Sequence, residues 1–258
     1  MTDEIRNQPV LVMGIANRWS LAYAIAKSLS EAGARLLLTY QAERVQKTVE
    51  ELGQALGATH VYPCDVSQDA AISELFARIG RDLGDVPLAG VVHSIAFAQK
   101  EDLDRAFHAT SRAGFHQALD VSAYSLVSVA HGAAPLMREG GSIVTLSYLG
   151  AQRVVPNYNV MGVAKAALEA AVRYLASELG PQGIRVNAIS AGPVRTASAR
   201  AVRDLGSMID HVAQHAPLRR AIDPAEVADT ARFLLSPAGR GITGDTLFVD
   251  SGYHIMGF

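Results

Sequence analysis

A chain of 258 residues with 49% hydrophobic and 19% charged side chains can bury a large core, and no Pro-, Ser- or Gly-rich stretch marks a linker between domains. Its 23 basic and 25 acidic residues leave a formal charge of −2, which excludes the electrostatic footprint of a nucleic-acid or anionic-lipid binder and favours small-molecule chemistry. The one cysteine, Cys64, excludes an internal disulfide and suits a reducing cytoplasm; Met1-Thr2-Asp3-Glu4 lacks the regions of a signal peptide, and no apolar stretch approaches the roughly 20 residues of a membrane span.

The first element is the short apolar run Pro9-Val10-Leu11-Val12-Met13, ending at Gly14 and followed by a helical pattern through Ile25, Ala26 and Leu29 to Gly33. A strand, tight turn and helix start in this order can receive a pyrophosphate on backbone N–H groups and the helix dipole. Gly14 permits the turn, Ala16 and Ala22 allow close approach, and Ser20 offers its hydroxyl and N–H to phosphate oxygens. The G-x-G-x-x-G spacing is absent, so the segment taken alone fits any strand-to-helix turn equally well. Strands at 35–40, 59–63 and 88–94 then alternate with helices at 42–56 and 68–83 and a long helical region ending near Met137. Residues 142–147 form a strand and 157–179 a helix, with Val160, Val163, Ala164, Ala167, Leu168, Ala171, Val172 and Leu175 at spacings of three and four. A strand at 184–190 leads to Ala191-Gly192-Pro193 and a polar, irregular stretch of about 25 residues. Asp223-Pro224-Ala225-Glu226 opens a helix to Leu235, and 247–249 is a last strand.

This alternation predicts a single-domain, Rossmann-like doubly wound α/β fold with helices on both faces of a parallel sheet, about seven strands in the order 3-2-1-4-5-6-7. Ligands in such a fold bind beyond the carboxyl ends of the strands, where Gly14, Gln41, Asp65, Ser94, Tyr148 and Gly192 fall. Tyr158 and Lys165 stand seven apart, close to two helical turns and about 10.5 Å of rise, so they share a helix face and can hold two ends of one extended cofactor. Alone, the pair is equally a Tyr and a Lys at the margin of a buried helix; the first turn is what weighs toward chemistry. No metal is expected, because none of the eight histidines pairs as H-x-x-x-H or lies near a C-x-x-C, and His93 reads as a buried strand-end histidine. The absence of G-x-S-x-G disfavours a hydrolase.

From Gly14-Ile15-Ala16-Asn17 and Ser20-Leu21-Ala22 through Cys64-Asp65-Val66 and His93-Ser94-Ile95-Ala96-Phe97-Ala98, the chain resembles the short-chain dehydrogenase/reductases. With Leu146-Ser147-Tyr148-Leu149-Gly150, Pro156-Asn157-Tyr158-Asn159-Val160-Met161-Gly162, Lys165 and Ala191-Gly192-Pro193-Val194-Arg195-Thr196, it is similar to their enoyl-acyl-carrier-protein reductase branch, over nearly its whole length. The superfamily at large places its Tyr and Lys four apart; the spacing of seven, and Tyr148 ten residues before Tyr158, are the enoyl reductase pattern.

The resemblance implies reduction of the trans-2 double bond of enoyl thioesters on acyl carrier protein, by hydride from NADH, in a cytoplasmic homotetramer whose helices around 113–137 and 157–179 form subunit contacts. It implies catalytic roles for Tyr158, Lys165 and Tyr148: Tyr158 as donor to the enolate oxygen, Lys165 on the nicotinamide ribose, and Tyr148 beside the thioester, with plain packing as the alternative for Tyr148. Asp65 and Val66 would meet the adenine, although Asp65 also reads as a cap for the residues from 67 onward. Ser94 and Ile95 would back the cofactor, with Ala98 near the acyl chain. Gln41, standing where a 2′-phosphate would need a basic residue, points to NADH over NADPH, with Arg44 nearby as the reservation. Val194, Arg195, Thr196, Ala197 and Ser198 complete the cofactor set, within a substrate-covering flap at 194–216. The competing readings are a dehydrogenase of the same fold acting on a carbonyl or alcohol, such as a 3-oxoacyl thioester, and a non-catalytic dinucleotide sensor.

Overall fold

A computed structural model describes residues 5–196 and 204–257. Its strands are β1 (Pro9–Met13), β2 (Arg35–Tyr40), β3 (His60–Pro63), β4 (Gly90–His93), β5 (Gly141–Ser147), β6 (Ile184–Ala191) and β7 (Thr246–Val249). They form one 7-stranded sheet in the order β3-β2-β1-β4-β5-β6-β7, with every neighbouring pair parallel. The expected strand order is the one observed. Joining them are α1 (Leu21–Glu31), α2 (Glu43–Ala55), α3 (Asp69–Leu83), α4 (Lys100–Asp104), α5 (Arg112–Leu119), α6 (Ser125–Ala133), α7 (Asn159–Leu179), α8 (Leu205–His215) and α9 (Pro224–Leu235).

Successive side chains of a strand point to opposite faces, and the core divides accordingly. Val10, Val12, Leu36 and Leu38 pack with Ile25, Ala26 and Leu29 of α1 and Val227, Ala231 and Leu234 of α9. Leu11, Met13 and Leu37 pack on the other side with Leu75 and Ile79 of α3, Leu126 and Val129 of α6, and Leu168 and Val172 of α7. Both faces of β1 are therefore dry, which is why its five residues are all apolar and all buried. Among the described residues no helix is long and apolar enough to cross a membrane.

The structure corrects the chain reading at three places. The region up to Met137 is not one long helix: it breaks into α4, α5 and α6, with a π-helical turn at Asp120–Tyr124 between the last two. Asp102, 1% exposed, fastens the first break by accepting from the backbone N and Oγ of Ser111, each at 2.8 Å. The π turn shifts the helix face so that Ser122 Oγ clasps the post-β4 loop, accepting from Phe97 N at 2.9 Å and donating to Phe97 O at 3.1 Å. The stretch after Pro193 is not wholly irregular either, because α8 lies within it, with Ile209 and Val212 buried. Finally, α7 begins at Asn159, so Tyr158 stands just outside it as the cap residue. Asn157 and Asn159 flank it at φ 65 and 40, a conformation asparagine tolerates better than most residues. Ala197 and Ser198 lie outside the described residues.

Candidate active site

A cavity of about 380 Å³ opens at the carboxyl ends of β1, β4, β5 and β6. Gly14, Ser20 and Leu21 line it from the first turn, Ser94, Ile95 and Ala98 from the loop after β4, Tyr148, Tyr158 and Lys165 from β5 and α7, and Val194 and Thr196 from the loop after β6. Leu103, Met161 and Met208 add apolar wall, and α8 thereby contributes a residue that the polar character of its surroundings had hidden.

The first turn is built by close approach of backbones. Gly14 has φ +98, and a Cβ there would lie 2.0 Å from the carbonyl oxygen of Ser94, whose N–H donates to Met13 O at 3.2 Å. Ser20, on the cavity wall, also holds the helix start. It is the N-cap of α1: its hydroxyl donates to Asn17 O at 2.8 Å and accepts from Tyr23 N at 3.2 Å, while its own N–H donates to Asn17 O. The N–H groups left over at this helix start are those of Leu21 and Ala22, which have no carbonyl in a preceding turn to bond.

Two glycines place Tyr158. A Cβ on Gly150 would sit 2.4 Å from Tyr158 Cδ1, and one on Gly162 would sit 2.8 Å from Gly150 O, so α7, the post-β5 loop and the phenol ring stack in contact. Tyr148 meets Tyr158 edge to face, with ring centroids 4.9 Å apart at 67°. Burial first, and then the neighbouring Tyr148, hold the Tyr158 phenol well above its ordinary pKa, and burial pushes Tyr148 up to about 12. Both phenols keep their protons at neutral pH.

Lys165 is 5% exposed and its Nζ donates to Leu146 O at 2.7 Å. Burial lowers its pKa to about 8, and the charge of Glu169 opposes that shift. Glu169, also 5% exposed, accepts from Ser147 Oγ at 2.6 Å and from Gln152 Nε2 at 3.0 Å. This carboxylate had gone unnoticed; its signal is a single acid on the inner face of an otherwise apolar helix, one turn beyond Lys165. His93 is fully buried between Thr145 Oγ1 at 3.0 Å and Ser125 Oγ at 2.8 Å, and burial, followed by the charge of Lys165, lowers its pKa to about 3. Thr145 Oγ1 also donates to His93 O at 3.1 Å and Ser125 Oγ to Val121 O at 2.7 Å, so both hydroxyls beside the ring are tied to backbone carbonyls. Among the described residues no three His, Cys, Asp or Glu side chains group as a metal site.

The structure does not bring every expected residue onto the cavity wall. Ala16, Gln41 and Arg195 are exposed and Asp65 is partly so; Gln41 and Asp65 follow β2 and β3 along the same sheet edge, and none of the four lines the cavity. Asp65 Oδ1 accepts from Ser67 N at 3.1 Å and Ser67 Oγ at 2.9 Å, so that oxygen serves the turn before α3, whose N-cap is Gln68. Val66 is 6% exposed and packs into the core with Tyr62, Cys64 and Ile72.

These residues fit a nicotinamide dinucleotide. A turn too tight for a side chain at Gly14 leads into N–H groups suited to a pyrophosphate, and a buried ammonium and two protonated phenols line the same cavity. A family model described as enoyl-(acyl carrier protein) reductase matches residues 14–254. The chain is 51% identical over 257 residues to the NADH enoyl-acyl-carrier-protein reductase of Bacillus subtilis, covering 99% of each sequence. It is 50% identical over 254 residues to the NADPH enzyme of Staphylococcus aureus, covering 98% of each. The crystal structure of the Bacillus cereus reductase with NADP+ and an indole naphthyridinone matches with a TM-score of 0.96 at 50% identity, over 99% of both chains. With a matching family model across the site and relatives this similar from end to end, the chain belongs to the enoyl-acyl-carrier-protein reductase family.

Proposed function

We propose that this chain reduces the trans-2 double bond of enoyl thioesters carried on acyl carrier protein, with NADH as the preferred donor and with Tyr158, Lys165 and Tyr148 as its catalytic residues. The observation that carries this is the protonated Tyr158 phenol sharing one largely apolar cavity with the buried Lys165 ammonium, beside a dinucleotide-type turn. Bound NADH supplies the hydride. Negative charge then gathers on the thioester oxygen, and the Tyr158 hydroxyl donates to it without first having to titrate. Tyr148 holds that ring from the side, and Lys165 donates to the nicotinamide ribose hydroxyls. Ala98, Leu103, Met161 and Met208 offer apolar wall to the acyl chain. Ser94, Ile95, Val194 and Thr196 back the cofactor from the wall, and Gln41, Asp65, Val66 and Arg195 serve it from the rim, outside the enclosed cavity.

The purified protein should oxidise NADH with a trans-2-enoyl thioester and act poorly on the matching 3-oxoacyl thioester. A faster 3-oxo reaction would make Tyr158 a general acid and sink the enoyl reading. The same assay run with NADPH tests Gln41. Relatives at about the same identity carry NADH in one name and NADPH in another, so the family alone does not choose. Gln41 offers hydrogen bonds to ribose hydroxyls but no charge to a 2′-phosphate, and the expected order is NADH above NADPH in kcat/KM. Equal or reversed efficiencies would hand that choice to Arg44.

Residues 194–216 are the proposed substrate cover. Met208 of α8 on the cavity wall supports this, as does His211, which meets Tyr253 edge to face at 5.8 Å. Proteolysis within 194–216 should slow when cofactor and a substrate analogue are added together; an unchanged rate counts against a cover. A cytoplasmic homotetramer is the proposed state. The exposed apolar residues Tyr124, Val127, Val163 and Tyr174, on and beside α6 and α7, are suited to subunit contacts.

A further inference from the structure

Lys165 and Glu169 lie one turn apart on the inner face of α7, both 5% exposed. Each grips a neighbouring residue of β5: Lys165 Nζ donates to Leu146 O, and Glu169 accepts a hydrogen bond from Ser147 Oγ at 2.6 Å. The second carboxylate oxygen accepts from Gln152 at 3.0 Å. A buried ammonium keeps its charge more readily where an opposite charge lies near it. The remaining titratable groups facing Lys165 are His93 from β4, Tyr148 after β5 and Tyr158 at the start of α7, and all three are neutral near pH 7. Among the described residues Glu169 is thus the opposite formal charge set against the ammonium, and Ser147 and Gln152 fix where it points.

We propose that Glu169 is a positioning residue for Lys165: the buried counter-charge that keeps the ammonium protonated, and so keeps its hold on the dinucleotide, through neutral pH. The proposal rests on the reading above that Lys165 bonds the nicotinamide ribose. It assigns Ser147, despite its place on the cavity wall, to anchoring Glu169 and not to the substrate. The Lys165 pKa of about 8 already lies near the working range, so losing a favourable charge would carry it down into that range. Hydride transfer is not involved, and the prediction concerns binding.

The experiment is NADH affinity, read by fluorescence between about pH 6 and pH 10, for the wild type, Glu169→Gln, Glu169→Asp and Lys165→Met. Gln preserves the shape that meets Ser147 and Gln152 while removing the charge. Wild-type affinity should be present at low pH and fall as pH rises through the Lys165 pKa. Glu169→Gln should match the wild type at the acid end and lose affinity about one pH unit earlier, which makes it about tenfold weaker above both midpoints. Glu169→Asp keeps the charge and should restore the midpoint. A structural role alone would weaken Glu169→Gln equally at every pH, and that result, or an unmoved midpoint, overturns the proposal. Lys165→Met separates the underlying reading: if it binds NADH like the wild type at all pH, the ribose role of Lys165 is wrong, whatever Glu169 does. Should Glu169→Gln not fold, Glu169→Asp decides, since a shifted midpoint with the charge retained would refute the counter-charge.

Discussion

Tyr158→Phe should lower turnover by about 10²- to 10³-fold, equivalent to roughly 2.7–4 kcal/mol, while NADH binds almost as in the wild type. The effect is large because this hydroxyl is held protonated, chiefly by burial and then by Tyr148, and opens on the cavity where the thioester oxygen would gain charge. It is confined to turnover because the ring itself stays. Phenylalanine keeps the edge-to-face contact with Tyr148 and the close fit over Gly150. Stopped-flow reduction of an enoyl thioester, alongside fluorescence titration of NADH, separates the two quantities. A variant with wild-type turnover would mean that another donor meets the enolate; one that fails to bind NADH would mean that the phenol serves the cofactor.

Gly14→Ala should damage folding and cofactor affinity together. The added methyl would enter a backbone at φ +98, a region that costs non-glycine residues about 1–3 kcal/mol, and it would stand 2.0 Å from the Ser94 carbonyl oxygen, part of the backbone and unable to swing aside like a flexible side chain. Relief requires β1 and the loop after β4 to separate, displacing Leu21, Ser94 and Ile95 from the wall they share. Denaturant unfolding should report a loss of at least that size, and NADH affinity should fall by more than about tenfold, the equivalent of 1.4 kcal/mol. Full stability with weak binding would localise the role of Gly14 to the ligand. Full affinity would show that the dinucleotide does not approach this turn.

What the chain alone determined is the part of the molecule written in periodicity. Apolar runs of strand length, alternating with three- and four-residue spacing, led to seven parallel strands in the observed order, because burial on both faces of a sheet demands those residues and right-handed crossovers leave few other arrangements. The Tyr158, Lys165, Tyr148 and Gly14 motifs were equally legible, since each is a residue type at a spacing. What periodicity does not carry is which side chain meets which across elements. Tyr158 proved to precede its helix, because Asn157 and Asn159 turn the chain at positive φ and Asn159 bonds Leu103 O and Arg105 O, each at 2.8 Å, more than 50 residues upstream. The capping bonds of Ser20 to Asn17 and Tyr23 are likewise not written in spacing alone. Helix α8 passed for irregular because Gly206, Ser207, Asp210 and Gln214 dilute the apolar face that Ile209 and Val212 bury only once the rest of the fold is present. Glu169 is held by Ser147 and Gln152, 22 and 17 residues away in the chain. These contacts are long-range, and long-range packing is settled by the shape of the assembled sheet and its helices, which local spacing does not encode.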